Sequence, residues 1–408
     1  MHLLYPMIFV LMMMPAGLSS GRSAAGRDDE FRERAHRLSR EVLIVDTHID
    51  VPERLHGKIV DISVRTPDGD FDYVRAKSGG LDAIFAAVFV PSSLEGRGKA
   101  KAYADSMVDL VHSCAARWPD HFALVNSPAD VVRLAPTGKV LLAMGMENGA
   151  AIEGTLANVR YFYDRGIRYI TLVHSRNNHI CDSSYDPDRK WNGLSPFGVQ
   201  LIAEMNRCGM MIDVSHVSDS TFYQVIRLSS APVVATHSSC RAFTPGFERN
   251  MSDEMIKALA AGGGVIHVNF GSAFLNDEAR RQPERMRRDI DRFLKQRGLK
   301  KDDPAVKKYK EEYLKEHPQV YADVADVAKH IDHVAKLVGV AHVGIGSDFD
   351  GLGDSLPTGL KDVSQYPNLI AELLKLGYSE EDIRKVCGEN TLRVWEEVDR
   401  CSSVAKEP

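Results

Sequence analysis

Eight short apolar runs recur along the chain, at residues 42–50, 83–90, 140–147, 169–174, 210–216, 233–237, 265–270 and 343–348, and most of them end in a polar or ionisable side chain. The runs are continuous rather than alternating and rich in Val and Ile, which is the pattern of a parallel strand buried on both faces. Between most of them lie amphipathic stretches of helical length, such as 101–118, 196–207, 218–228 and 253–261. Alternating strand and helix predicts parallel pairing. Eight such units favour a closed (β/α)8 TIM-like barrel over an open doubly wound sheet, and no GxGxxG or Walker loop follows the first run.

Three segments depart from this rhythm. Residues 276–319, between the seventh and eighth runs, form a charged helical insertion with Arg280-Arg281 and Lys300-Lys301 pairs; solvated helices are the ordinary reading, a lid or subunit contact the sharper one. Residues 368–397 read as closing helices, and 28–40 as a charged helix leading into the first strand. The apolar run 3–14, followed by Pro15 and small residues, has the shape of a signal peptide over 1–25, with Ser23-Ala24-Ala25 as a small-x-small site and no basic n-region. An uncleaved anchor is the alternative. On that reading residues 26–408 would be a single barrel domain, exported to the periplasm or the extracellular space, with no stable membrane span expected in the mature chain.

Composition narrows the classes. The 408 residues, 44% hydrophobic and 26% charged with a formal net charge of -5, suit one barrel with insertions and argue against a nucleic-acid partner. The six cysteines contain no CxxC pair, which excludes a zinc ribbon and leaves buried thiols as the main expectation.

The chemistry gathers where the apolar runs end. Side chains two apart on a strand share a face, so His48 and Asp50 both reach inward from the carboxyl end of the first run. A lone His-x-Asp is more often incidental. Here, however, Glu147, His174, His216, His237 and Asp348 each terminate a different run. Ionisable groups in such places are unfavourable unless paired or bound, and active sites of this barrel lie at the carboxyl face. Imidazoles with carboxylates are a ligand set for zinc or a similar divalent ion. His48, Asp50, His216 and His237 are the candidate ligands, with Glu147 the carboxylate able to bridge two ions. His174 also admits a reading as a hydrogen-bonded core histidine, and that is the default for His112, His121, His179, His330, His333 and His342, although His330 or His333 could face the site.

The landmarks Asp46-Thr47-His48-Ile49-Asp50, Met146-Glu147-Asn148-Gly149, Leu172-Val173-His174-Ser175, Ile212 to Ser218, Thr236-His237-Ser238-Ser239, Arg249-Asn250, Val268-Asn269-Phe270, Gly346 to Gly351 and Glu389-Asn390 follow one another in order. With them the chain resembles the membrane dipeptidase (renal dipeptidase) family of zinc metallopeptidases over nearly all its length after the leader. The resemblance implies two Zn2+ per chain, one on His48 and Asp50, the second on His216 and His237, with Glu147 bridging. It implies that His174, Arg249 and Asp348 contact a dipeptide substrate, that a dipeptide with a C-terminal D-residue is tolerated, and that the chain forms a homodimer. Arg249 offers a planar fork to a carboxylate, and Asp348 an anion to the free amino end. The resemblance further implies a metal-bridged hydroxide as the attacking group, since two such ions would lower the pKa of a shared water toward roughly 7, and it implies Glu147, His174 and Asp348 as the catalytic set.

Two departures from the family pattern stand out. Relatives of the mammalian enzyme often carry Tyr after the Val-Asn-Phe strand, where this chain has Gly271-Ser272-Ala273-Phe274. The cysteines do not map onto the mammalian disulfides, and no glycolipid-anchor tail follows Cys401. The alternative reading is a metal-dependent cyclic-amide hydrolase or deaminase of the amidohydrolase type, which usually opens with His-x-His rather than His-x-Asp. A metal-binding protein without turnover is the third, and it would need a missing ligand.

Overall fold

The computed structural model describes residues 24–300 and 303–402. The leader expected over 1–25 falls almost wholly outside the described residues, as does Lys301. Among the described residues nine strands form: β1 (Ile44–Ile49), β2 (Leu81–Phe89), β3 (Phe122–Leu124), β4 (Val140–Glu147), β5 (Ile167–Thr171), β6 (Met211–Asp213), β7 (Val234–Ser238), β8 (Val265–Val268) and β9 (Val343–Ile345). All pair in parallel, in the order β2-β1-β9-β8-β7-β6-β5-β4-β3. A further pairing of β2 with β4, from Ala83↔Leu141 to Phe89↔Glu147, closes the sheet into a ring of eight. The fold is thus the (β/α)8 barrel, and each of the eight apolar runs supplies one strand. The short β3, which the sequence pattern did not single out, pairs with the first residues of β4, while β5 takes the later ones.

The helices start and stop where local chemistry dictates. Ser195, Ser218 and Ser252 each accept a backbone N–H of the first turn of the helices Pro196–Cys208, Asp219–Leu228 and Asp253–Ala261, and Gly209 ends the first of these in a left-handed conformation. The charged insertion is a pair of helices, Asp277–Arg297 and Pro304–Glu316, with a small apolar centre of its own at Ile290, Leu294 and Val306.

Inside the barrel the amino half is apolar. Val45, Phe85, Leu141, Tyr169, Val234 and Val265 meet Trp395, which the C-terminal helix Asn390–Cys401 inserts as a floor. Rings then climb the axis: Trp395 to Phe85 at 5.1 Å between centroids, Phe85 to Tyr169 at 5.6 Å, and Tyr169 to His48 at 6.4 Å. Gly145 is required here, because a Cβ at that position would overlap the Tyr169 ring. The packing that fills the barrel therefore also delivers a phenol hydroxyl to the underside of the rim.

Candidate active site

Above the Tyr169 layer the inward side chains turn from apolar to ionisable. His48 is the last residue but one of β1, its ring buried, and its Nδ1 meets the Tyr169 hydroxyl at 2.8 Å, leaving Nε2 without a hydrogen-bond partner. That Nε2 lies 3.6 Å from Asp50 Oδ2 and 3.6 Å from Glu147 Oε2. The other oxygen of Glu147, Oε1, faces Nε2 of His216 at 3.1 Å, of His237 at 3.4 Å and of His174 at 3.7 Å. His216 and His237 bring their Nε2 atoms within 2.9 Å of each other.

Hydrogen bonds beneath the candidate ligands set their tautomers. Asp213 Oδ2 accepts from the Thr236 hydroxyl at 2.7 Å, so that hydroxyl has only its lone pairs to offer His237 Nδ1 at 2.9 Å. His237 then carries its proton on Nδ1 and turns a bare Nε2 toward Glu147. Asp46 fixes the β1–β9 seam in a similar way: its Oδ1 accepts the backbone N–H groups of His48 and Ser347, and its Oδ2 accepts the Tyr366 hydroxyl. Neither Asp46 nor Asp213 figured among the sequence candidates. The signal that could have found them is an acid inside an apolar run, in Ile-Val-Asp-Thr and Met-Ile-Asp-Val.

The charge balance of the cluster is anomalous for protein atoms alone. Burial, reinforced by Asp348 and Glu147, pushes the Asp50 carboxyl well above its usual range. Burial would raise Glu147 too, but the imidazoles around it, His174 and His48 foremost, hold it well below the ordinary value. Burial holds His216 well below its ordinary pKa and brings His237 down to about 4, with Arg249 adding to both. Neutral imidazoles whose lone pairs converge on carboxylate oxygens form a cavity for a cation. Ligand bonds of about 2.0–2.2 Å in a tetrahedral shell give edges of roughly 3.3–3.6 Å, close to most of the separations here. The ligand atoms also group as His48, Glu147 and His237; Glu147, His174 and His216; and His48, Asp50 and Asp348. The donor set thus fits divalent metal, with each oxygen of Glu147 turned to a different set of imidazoles.

A cleft of about 490 Å3 opens above this cluster, with Glu147, His174, Tyr185, His216, Phe274 and Asp348 among its walls. His174 keeps 24% of its side chain exposed there, its ring edge against Phe89 at 4.9 Å. Asp348 is held by Asn269 Nδ2, which donates to Oδ2 at 2.7 Å. Gly351 makes room for it, since a Cβ there would collide with Asp50 Oδ2 and crowd Asp348 Oδ1. His216, Asp348 and Asp350 all adopt positive φ, at 69°, 65° and 66°, backbone strain of the kind that gathers at functional sites.

Arg249 stands at the other end, only 3% exposed. Its Nη1 donates to Ser238 Oγ and its Nη2 to the His237 carbonyl, both at 2.7 Å, while Nε has no partner. Its guanidinium lies 5.3 Å from the centre of the Phe274 ring. The remaining histidines keep the structural reading. His330 bonds the Cys240 N–H and the Leu275 carbonyl, His333 pairs with Asp253, and His179 with Glu95. All six cysteines are free thiols, five of them buried.

Comparison with known proteins agrees with this geometry. The family described as "Membrane dipeptidase (Peptidase family M19)" matches residues 32–408. Dipeptidase verJ of Clonostachys rogersoniana is 30% identical over 393 residues, 93% of this chain and 90% of that protein. Among solved structures, the probable dipeptidase PvdM from Pseudomonas aeruginosa superposes with a TM-score of 0.77 at 27% identity, covering 92% of this chain and all of that one. A metallopeptidase from Rhodobacter sphaeroides, liganded with a phosphinate mimic of the dipeptide L-Ala-D-Ala, does so with a TM-score of 0.72 at 27% identity, over 88% and 99% of the two chains.

Proposed function

The chain belongs to the membrane dipeptidase family of metallopeptidases, and from that premise we propose that it hydrolyses free dipeptides, including those with a C-terminal D-residue, with two zinc ions at the barrel rim. The observation that carries the reading is Glu147, whose two oxygens face separate imidazole sets. His48 and Asp50 would hold one ion, His216 and His237 the other, and Glu147 both. The ions supply Lewis acidity, which polarises a carbonyl and lowers the pKa of water toward about 7. The L-Ala-D-Ala mimic bound by the Rhodobacter relative supports the tolerance of a D-residue.

The protein's own groups divide the remaining work. Asp348, steadied through Oδ2 by Asn269, offers Oδ1 to the substrate's amino end and carries a proton to the leaving amine. His174, half in the cleft, donates to the oxygen of the scissile carbonyl as negative charge develops there. Arg249 spends two of its five N–H donors on Ser238 and His237, and the free Nε–H with the remaining Nη protons serves the C-terminal carboxylate. A cleft that reads both ends of its ligand selects dipeptides over longer chains.

The apolar leader supports export, and among the described residues no helix is long and apolar enough to cross a membrane. The resemblance supports a homodimer. The test is a panel of dipeptides, tripeptides and amino-blocked dipeptides, assayed on metal-stripped and zinc-restored protein beside metal analysis. Expected are close to two ions per chain and zinc-dependent cleavage confined to free dipeptides. A reproducible single ion, or equal cleavage of blocked peptides, defeats the reading.

A further inference from the structure

The cleft is rich in acids, and this poses a problem for a ligand that ends in a carboxylate. Asp50, Glu53, Glu147, Asp348 and Asp350 all line it. A cation-lined end is needed, yet Arg249 is almost wholly buried and is not itself on the cleft wall. The wall at that end is aromatic. Tyr185 packs on Phe247 with ring centres 6.1 Å apart, Phe247 on Phe274 at 5.8 Å, and Phe274 on the Arg249 guanidinium at 5.3 Å.

Tyr185 lines the cleft with its ring 5.9 Å from that of His216, it is 42% exposed, and its hydroxyl has no hydrogen-bond partner among the described residues. Of the other cleft donors, Ser175 is engaged with Ser92, His216 faces Glu147, and His174 is the donor assigned above to the scissile carbonyl. The loop that carries Tyr185 is firmly tied. Its backbone N–H donates to Ser183 Oγ at 3.2 Å, and the Ser183 hydroxyl in turn donates to the His174 carbonyl. Arg189 binds the Ser183 and Asp186 carbonyls and also the carboxylate of Glu248, the residue next to Arg249. One ion pair therefore couples the Tyr185 loop to the Arg249 segment. A phenol is a donor that adds no charge and little conformational freedom, so it can be held ready at such a wall.

Resting on the dipeptidase reading, we propose that the Tyr185 hydroxyl donates a hydrogen bond to the substrate's C-terminal carboxylate and, together with Arg249, sets the preference for an unblocked carboxyl end. Tyr185 is then a specificity-determining residue that the sequence pattern gave no reason to select.

The test compares wild type with Tyr185→Phe, which keeps the ring and removes only the hydroxyl, on Ala-Ala and on Ala-Ala amide, with metal content measured in both proteins. The expected result is a rise in KM for Ala-Ala of roughly tenfold or more, the scale of a hydrogen bond to a charged group. The rise for the amide is much smaller, kcat falls less than KM rises, and metal content is unchanged. Equal effects on the two peptides, or none, overturn the proposal while wild-type cleavage of Ala-Ala leaves the dipeptidase reading intact. If wild type cleaves neither peptide, that reading fails, and calorimetric titration with Ala-Ala decides the Tyr185 question separately. Weaker binding to the variant sustains it, and equal or absent binding overturns it.

Discussion

The two halves of the barrel interior are built to opposite rules. In the amino half, Trp395, Phe85, Leu141 and Val265 fill space with apolar surface and none is more than 1% exposed. In the carboxyl half, the strands of the same barrel present His48, Glu147 and His237 to one another, with His48 Nε2 left without a hydrogen-bond partner, beside a backbone strained at His216 and Asp348. The difference teaches where the molecule keeps its stability and where it gives some up. Apolar layers hold the strands in register, and that lets the rim carry desolvated charge and positive φ.

Substitutions should separate the halves. The largest effect belongs to the rim: His237→Ala or His48→Ala removes a proposed metal ligand, and activity should fall by roughly three orders of magnitude, about 4 kcal/mol of lost Lewis-acid stabilisation. Circular dichroism should show the fold retained, and loss of soluble protein in both variants would place these residues in the structural half instead. At the floor, Trp395→Ala should cost about 3–5 kcal/mol of unfolding free energy, read by denaturant titration. Folded molecules of that variant should keep near-native kcat. A large kcat loss there would show that the halves are not independent.

Smaller effects sharpen the contrast within the rim. Arg249→Lys keeps the charge and loses the fork, so kcat/KM on a free dipeptide should fall by about ten- to more than a hundredfold, for about 1.5–3 kcal/mol. A dipeptide amide, already a poor substrate, should lose much less; equal losses would mean that Arg249 does not read the carboxylate. The smallest effect concerns the tie at the rim's edge, where Asp70 and Asp350 each accept the other's backbone N–H. Burial pushes the Asp70 carboxyl up to about 6. A folded-state pKa above the unfolded value of about 3.9 means that the native state binds more protons between the two. The contribution is therefore fully present below about pH 4 and is lost as pH rises through about 6. Asp70→Asn should flatten that slope, moving Tm by no more than a few degrees. An unchanged slope would remove Asp70 from the account.

The sequence was most legible where one physical rule acted locally. Runs 140–147 and 343–348 announced strands because burial on both faces forbids alternation, and the stretches 218–228 and 253–261 announced helices because one face of each is apolar. The candidate ligands stood out because each closes a run, and the structure brings His48, Asp50, Glu147, His216 and His237 together. The supports beneath them were not legible. Tyr169 meets His48 across 121 residues, and Asn269 meets Asp348 across 79, distances at which no periodicity carries information. Trp395 resembled any apolar residue of a closing helix, and β3 at Phe122–Leu124 was too short to register. Asp46 and Asp213 fall between these cases, since an acid in an apolar run is visible even when its partners are not.

The pairing of β1 with β9 has a consequence in time. Asp46 lies opposite Ile345 in the ring, and His48, Asp50 and Asp348 gather across that seam. During synthesis at roughly 5–20 residues per second, about 300 residues must emerge before the first strand finds this neighbour, a wait of roughly fifteen seconds to a minute. Until then the first strand has one edge open, and no metal pocket spans it. Ring closure and assembly of the candidate metal site are therefore a single late event, and a ribosome that stalls before β9 leaves a chain with most of its helices and that site incomplete.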